Sequence, residues 1–300
     1  ETHTSYPPIS LLIAAYNEEE NIPETFRGIR HQHYPNEVEI VVVDDGSTDT
    51  TVELLTQQNM PNLKIVRGRH GGKARALNLG LEQCSHDIVV TIDADTYLFL
   101  HALKHIVGRL LKNPRYAAVA GHVLVKNERR SKLARLQAWD YMLAISSVKR
   151  QQGFFHGTLV AQGAFSAFRK DVLLRLGGWE EFLGEDIVLT WALIKEGYLI
   201  GYEPTAFSFT HVPLHMRGFN LQRQRWARGM IEGFKEHMSI IWKGKGYSSF
   251  FVALDLFFPF IDFFYTFVFI PGLIMALFGK FYIVGLMTLL VIPINVAIIT

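Results

Sequence analysis

The chain has 300 residues, with 30 Lys and Arg against 28 Asp and Glu and a formal net charge of +2. That length holds one large domain plus a small appendage, and the near balance of charge gives no bulk basic signal for nucleic acid. The single cysteine, Cys84, excludes an internal disulfide framework and suits a reducing compartment, with helix packing as its expected role.

The first half alternates. Runs rich in Val, Ile and Leu at 9–14, 38–43, 63–66 and 88–92 are separated by helix-like stretches at 21–32, 48–57 and 73–84. Apolar strands between amphipathic helices argue for βαβ units and a parallel sheet. Two runs end directly in acids: Val43 leads into Asp44-Asp45, and Ile92 into Asp93-Ala94-Asp95. Open α/β sheets bind ligands at the carboxyl ends of their strands, so both acid clusters are predicted to share one ligand edge. The stretch 132–151 mixes Leu133, Leu136, Trp139, Met142, Leu143 and Ile145 with Lys132, Arg135, Lys149 and Arg150. It reads equally as a helix lying on a membrane surface or as one packed on the sheet. Residues 221–237 have a similar character.

From Ser248 onward only Asp255, Asp262 and Lys280 are charged. The apolar runs are 250–278, broken by Asp255, Pro259, Asp262 and Pro271, and 281–299. A span needs roughly 20 apolar residues. The expectation is an interfacial or tilted segment running into one span, then a second. Basic residues before the first run put the α/β domain on the cytoplasmic side of the cell membrane. The expected division is an α/β domain with interfacial helices over 1–246 and a membrane region over 247–300. The chain opens on Glu1, ends inside an apolar run and shows no signal peptide, so it reads as a piece of a longer protein.

Six short motifs carry the chemistry: Ala15-Tyr16-Asn17-Glu18, Asp44-Asp45-Gly46-Ser47-Thr48-Asp49, Gly72-Lys73-Ala74-Arg75-Ala76-Leu77-Asn78, Asp93-Ala94-Asp95, Gly184-Glu185-Asp186 and Gln222-Arg223-Gln224-Arg225-Trp226. Each has a plain structural reading. Ser47, Thr48 or Asp49 can cap a helix, Asp-x-Asp is common in turns, and Glu185 and Asp186 suit a helix N-terminus. Against these, two acids one residue apart offer hard oxygens that suit Mg²⁺ or Mn²⁺. Lys73 and Arg75 follow glycines that let backbone and cations approach phosphate. Gly68 and Gly72 are too close for a Walker loop, and no Ser or Thr follows Lys73. Gln222, Arg225 and Trp226 share a helix face at i, i+3, i+4. The pairs His101/His105 and His211/His215 read as structural, the second because Pro213 breaks any helix there.

In this order the motifs resemble the family 2 glycosyltransferases, and Gln-x-x-Arg-Trp is similar to that of the family's processive, membrane-embedded synthases. The resemblance covers residues 9 to 236. It implies a GT-A-like α/β domain, a Rossmann-type and mostly parallel sheet, followed by transmembrane helices. It implies inverting transfer from a UDP-sugar, UDP-GlcNAc or another UDP-hexose, with Mg²⁺ or Mn²⁺ as cofactor. The acceptor would be a growing polysaccharide, of poly-N-acetylglucosamine, hyaluronan, chitin or cellulose type, with the first favoured. The membrane and a membrane or export subunit complete the implied partners. Carried over residue by residue, Asp45 takes the base with Asp44 in support. Ala14, Tyr16, Asn17, Glu18, Lys73, Arg75, Asn78, Asp93, Ala94, Asp95 and Arg225 surround the nucleotide sugar. Asp93 and Asp95 hold the metal, Asp95 more directly. Asp186 is the catalytic base, with Glu185 beside it. Gln162, Gly163, Gln222 and Trp226 meet the acceptor, although Gln162 stands where the family more often has Cys or Ser. Two alternatives stay open: single addition to a lipid acceptor, giving a glycolipid, and a catalytically silent nucleotide-binding membrane module.

Overall fold

A computed structural model of the chain describes residues 5–155, 157–243 and 247–283. The chain divides into two units, 1–251 and 252–300. In the first, the predicted apolar runs form β1 (Ile9–Ala15), β2 (Val38–Asp44), β3 (Leu63–Arg67) and β4 (Ile88–Asp93), all pairing in parallel. β1, β2 and β4 are buried along nearly their whole length, which is why they read as continuous apolar runs without alternation. Helices α1 (Ile22–Arg30), α2 (Thr51–Thr56) and α3 (Lys73–Gln83) connect them. Cys84 is buried just past the end of α3, in keeping with a packing role.

Beyond β4 the chain forms β5 (Tyr97–Leu98), α4 (Ala102–Leu111), β6 (Tyr116–Val125), α5 (Lys132–Asp140), a π-helical segment over Tyr141–Ser146, and α6 (Ser147–Phe154). There follow β7 (Phe165–Arg169), α7 (Lys170–Leu176), α8 (Glu185–Lys195), β8 (Leu199–Thr210), α9 (Met216–His237) and α10 (Ser239–Lys243). The strand order is β3-β2-β1-β4-β7-β6-β8-β5. β7 runs antiparallel to both β4 and β6, β6 is parallel to β8, and β5 is antiparallel to β8. The sheet is therefore mixed, more so than the mostly parallel sheet expected. β7 enters after the helical excursion of α5 and α6 rather than through one crossover helix, so nothing binds it to the parallel direction.

The α5–α6 region packs along one face and leaves apolar side chains on the other. One face buries Ala134, Gln137, Tyr141 and Gln152, while Leu136 (67% exposed), Trp139, Leu143 and Phe154 (77%) point outward. Ser131 caps α5, its Oγ accepting from Ala134 N at 3.0 Å. Lys149, expected among the surface basic residues, is instead buried. Its ammonium turns inward, donating to the Val160 carbonyl at 3.1 Å and to the Gln162 side-chain oxygen.

α9 is held against α8 through glycine. A Cβ on Gly184 would lie 2.4 Å from the Gly229 Cα, and one on Gly233 2.9 Å from Ile187 Cγ2. Glu232 then receives the N–H groups of Leu183 and Gly184 at 2.9 and 3.2 Å. The helix carrying Gln222, Arg225 and Trp226 is thus fixed to the turn carrying Glu185 and Asp186.

The later segments are α11 (Tyr247–Phe264), a π-helical turn over Tyr265–Phe269 and α12 (Ile270–Leu277). Phe260, Tyr265, Phe267 and Leu277 are exposed there. Among the described residues no helix is long and apolar enough to cross a membrane. The run 250–278, expected to reach into a span, is divided by the π-helical turn, and Asp255 and Asp262 lower its hydropathy. The second expected span, 281–299, lies outside the described residues apart from its first three.

Replacing Gly184 with alanine sets a methyl against backbone that cannot rotate away. Gly184→Ala should destabilise by about 1–3 kcal/mol, read as a lower Tm in calorimetry. A variant melting with the wild type would show that α8 and α9 do not meet so closely.

Candidate active site

The strand ends bring the acids together. Ala15 pairs with Asp44 across β1 and β2, and Ala14 with Asp93 across β1 and β4. Past β1, Asn17 takes a left-handed backbone at φ 54. That turn lets its Oδ1 accept from Thr48 N at 2.8 Å while its own N–H donates to Ser47 Oγ at 3.0 Å. Glu18 N–H donates to Thr51 Oγ1 at 2.8 Å, and Glu18 Oε2 accepts from Asn21 at 2.7 Å. Burial pushes the Glu18 carboxyl up, and the Asp93 and Asp49 charges add to it against the Asn21 hydrogen bond. Tyr16 stacks on His70, centroids 4.1 Å apart and planes 26° apart, and His70 Nδ1 lies 3.0 Å from Asp45 Oδ2.

Asp44 Oδ1 accepts from Ser47 N at 3.1 Å. The two oxygens of Asp45 accept from Gly71 N and Gly72 N, both at 2.9 Å. Asp45 therefore organises the glycine loop before α3, and any nucleobase contact shares its carboxylate with that loop. Gly72, at φ 92, makes the turn into α3. Arg75 folds back over Gly71, where a Cβ would lie 2.5 Å from its Cδ. A cleft of about 410 Å³ opens beside Asp45, lined by Arg67, Arg69, Arg75, Asn78 and Glu82 among others. The Asn78 side chain is also bound to backbone: its amide donates to Trp179 O at 2.7 Å and accepts from Trp179 N at 2.8 Å. Expected at the donor, it pins the loop before α8.

The centre is a knot of like charges. Lys73 pairs with Asp93 and sits 3.4 Å from Glu185 Oε1. Burial alone would lower the Lys73 pKa, but the Asp93, Glu185 and Asp186 charges hold it above the usual lysine range. Burial pushes the Glu185 carboxyl well up, Lys73 opposing and the Asp186 and Asp93 charges adding. Burial, then the Asp93 and Glu18 charges, push Asp95 up likewise, although its Oδ2 accepts from Thr210 Oγ1 at 3.1 Å. Ala94, between the two acids, offers its carbonyl to Thr25 Oγ1 at 2.7 Å. Among the described residues no three His, Cys, Asp or Glu side chains are arranged to hold a metal ion by themselves.

Asp186 opens α8. Its Oδ1 accepts from Ile187 N at 2.8 Å and its Oδ2 from Gly163 N at 3.2 Å. Thr190 ties the same segment, donating to the Asp186 carbonyl at 2.6 Å and accepting from Ala161 N at 2.9 Å. Gly163 lies against the cation, since a Cβ there would stand 2.4 Å from Lys73 Nζ and 3.5 Å from Glu185 Oε1. Gln162, expected at the acceptor, directs its amide elsewhere: Nε2 donates to Gly121 O at 3.0 Å and Oε1 accepts from Lys149. On α9, Arg225 is exposed, and Gln222 Oε1 is buried with no hydrogen-bond partner among the described residues. Trp226 is half-buried, with the Arg223 guanidinium 4.6 Å from its ring centre and Tyr141 6.2 Å away. Arg223 also pairs with Asp140. The structure so gathers Glu18, Lys73, Asp93, Asp95, Gly163, Glu185 and Asp186. It adds His70, Thr210, Lys149 and Glu232, which sequence reasoning does not single out as site residues.

Residues 10–177, more than half the chain, match Glycosyl transferase family 2, and the chain belongs to that family. Its curated relatives include the poly-beta-1,6-N-acetyl-D-glucosamine synthase of Staphylococcus aureus (strain COL), 34% identical over 224 residues, 74% of this chain and 54% of that one. The synthase of the same name from Staphylococcus epidermidis is 35% identical over 230 residues, 76% of this chain and 55% of that one. The chain spans about half the length of these relatives. Among solved structures, the mannosyltransferase PcManGT from Pyrobaculum calidifontis, in complex with GDP-Man and Mn²⁺, matches with a TM-score of 0.63 at 27% identity, covering 81% of this chain and 66% of that one. S. aureus TarS 1-349 in complex with UDP matches at 0.57 and 20% identity, covering 89% and 74%, and speaks for the shared GT-A-like fold.

Gly163→Ala should push the Lys73 ammonium off Asp93 and Glu185 without disturbing the sheet. Misplacing a charged group by about 1 Å costs on the order of 10²-fold in rate. Glycosyl transfer should fall by roughly that factor with Tm unchanged, and full activity in the variant would refute the close packing of Gly163 on Lys73.

Proposed function

We propose that this chain is the catalytic part of an inverting glycosyltransferase that extends a polysaccharide from a nucleotide-diphosphate sugar, UDP-GlcNAc best fitting its relatives. One observation carries the reading. The Lys73 ammonium pairs with Asp93 where β4 ends, lies 3.4 Å from Glu185 Oε1, and packs on Gly163, whose N–H holds Asp186. Burial and neighbouring charges push the Asp95 and Glu185 carboxyls up. They are best explained as a site completed by a cation and a ligand that brings its own charge.

The donor set fits a divalent metal. Asp93 and Asp95 offer hard oxygens one residue apart at the end of β4. Two side chains suffice when phosphate oxygens and water complete the coordination. Bound there, Mg²⁺ or Mn²⁺ supplies Lewis-acid charge to the departing diphosphate. The S. aureus and S. epidermidis relatives are poly-beta-1,6-N-acetyl-D-glucosamine synthases, and the PcManGT complex holds Mn²⁺ beside GDP-Man.

The chain's own residues do the rest. Asp186, oriented by Gly163 N–H and Ile187 N–H, takes the proton of the acceptor hydroxyl at a carboxylate oxygen. Glu185, facing Lys73, keeps the ammonium in place. Tyr16 offers a flat ring beside Asp45 for the base, and His70 stacked on it marks the slot. Arg225, exposed on α9, reaches for the diphosphate. Trp226 presents an indole edge to the acceptor sugar, since Arg223 lies over its ring. The outward Leu136, Trp139, Leu143 and Phe154, with the apolar run from residue 250, suit work at a membrane surface.

In the full-length protein, Asp186→Asn should leave donor binding intact in calorimetry and cut transfer by roughly 10²-fold or more. Loss of donor binding would put Asp186 in the nucleotide site instead.

Asp95→Asn should abolish transfer and its response to Mg²⁺ or Mn²⁺, and full activity of that variant in excess chelator would end the metal reading. Product length separates polymer synthesis from single addition. Mass spectrometry should find many sugars per acceptor, and a lone sugar on an extractable lipid would favour glycolipid synthesis.

A further inference from the structure

Lys149 is a charged group with no part in the chemistry described above. It sits on α6, is buried, and faces away from solvent into the wall behind the acceptor side. Its ammonium donates to the Val160 carbonyl at 3.1 Å and to Gln162 Oε1. Gln162 in turn donates to Gly121 O on β6 at 3.0 Å, and its own carbonyl accepts from Ser166 Oγ at 2.8 Å. The segment 160–163 is therefore stitched to α6, β6 and β7. Its far end is Gly163, whose N–H holds Asp186 Oδ2 at 3.2 Å, while Ala161 N–H holds Thr190 Oγ1 one turn further along α8.

We propose that Lys149 is a positioning residue for the base: it clamps segment 160–163 through Val160 and Gln162, so that Gly163 N–H orients the Asp186 carboxylate. The inference rests on the assignment of Asp186 as base. A buried ammonium is costly to desolvate unless it is paired, and two carbonyl-type oxygens are modest partners for a full charge. Burial accordingly lowers the Lys149 pKa to about 7, with Asp186 the one charge raising it. The ammonium nonetheless serves two acceptors at once, and that is what ties Val160 and Gln162 to α6. The side chain at position 162 supports the same point: Gln162 is long enough to meet Lys149, which a Cys or Ser there would not be.

Removing Lys149 frees segment 160–163 from α6, so Gly163 N–H should no longer hold Asp186 Oδ2 in a fixed orientation. The test uses the full-length enzyme with Lys149→Met, the double variant Lys149→Met/Gln162→Met, which leaves no orphaned amide, and Asp186→Asn. Donor binding is followed by calorimetry, folding by thermal unfolding, and kcat by donor-saturated transfer.

The expected result is unchanged donor affinity and a kcat reduced about tenfold in both methionine variants. Wild-type kcat, with Asp186→Asn inactive, would overturn the role of Lys149 alone. So would a methionine variant in which donor affinity and kcat fall together, because that is general damage. An active Asp186→Asn would instead overturn the assignment of the base, and with it this inference.

Discussion

Repulsion between carboxylates is what the rest of this site has to manage. Asp93, Asp95, Glu185, Asp186 and Glu18 converge where β1 and β4 end, and Lys73 is the cation at their centre. Such a group of acids would spread apart in water. The fold holds three of them in place: Asp93 is a strand residue in register with Ala14, Asp95 is bonded to Thr210, and Asp186 is tied to backbone N–H groups on both of its oxygens. The fold, not mutual attraction, keeps the acids together. In the function proposed above, folding free energy goes into preorganising a site for a charged ligand.

Glycine is how the backbone gets close enough to do this. Gly163 leaves room for the Lys73 side chain, Gly72 turns the chain into α3 below Asp45, and Gly178, at φ 84, brings its backbone within touching distance of the Asn78 amide. At Gly178 an added Cβ would meet Asn78 Oδ1 at 2.1 Å. The polar side chains Asn78, Gln162 and Glu232 serve the same end, each reaching backbone groups far away in sequence. The motif pattern points Asn78 and Gln162 at substrates. In the structure their amides already bond to backbone, Asn78 at Trp179 and Gln162 at Gly121.

The sequence made the parallel half legible because burial on both faces writes itself as uninterrupted Val, Ile and Leu, and because acids at strand ends fall on the ligand edge. It was less informative wherever a partner lies far off in the chain. Nothing in Phe165–Arg169 says that β7 runs antiparallel between β4 and β6. Lys149 and Arg150 look alike in sequence, yet only the first turns inward, since that depends on where Val160 and Gln162 come to lie. His70 follows two arginines and glycine with no periodicity to flag it, and its stacking on Tyr16 is a matter of loop geometry. The outward apolar side chains of α5 and α6 were visible as an amphipathic pattern, which by itself does not say whether lipid or protein is to cover them.

The meeting of Gly184 and Gly229 has a mechanical consequence. Most helix pairs touch through side chains, which bend and exchange rotamers and so absorb small displacements. Where backbone lies on backbone there is no such cushion, and packed interiors are stiff. A tug on α9 is delivered to the first turn of α8 without slack, and that turn carries Asp186. In the function proposed above, the grip on the acceptor and the aim of the base are in this way geared to each other like teeth on a common wheel.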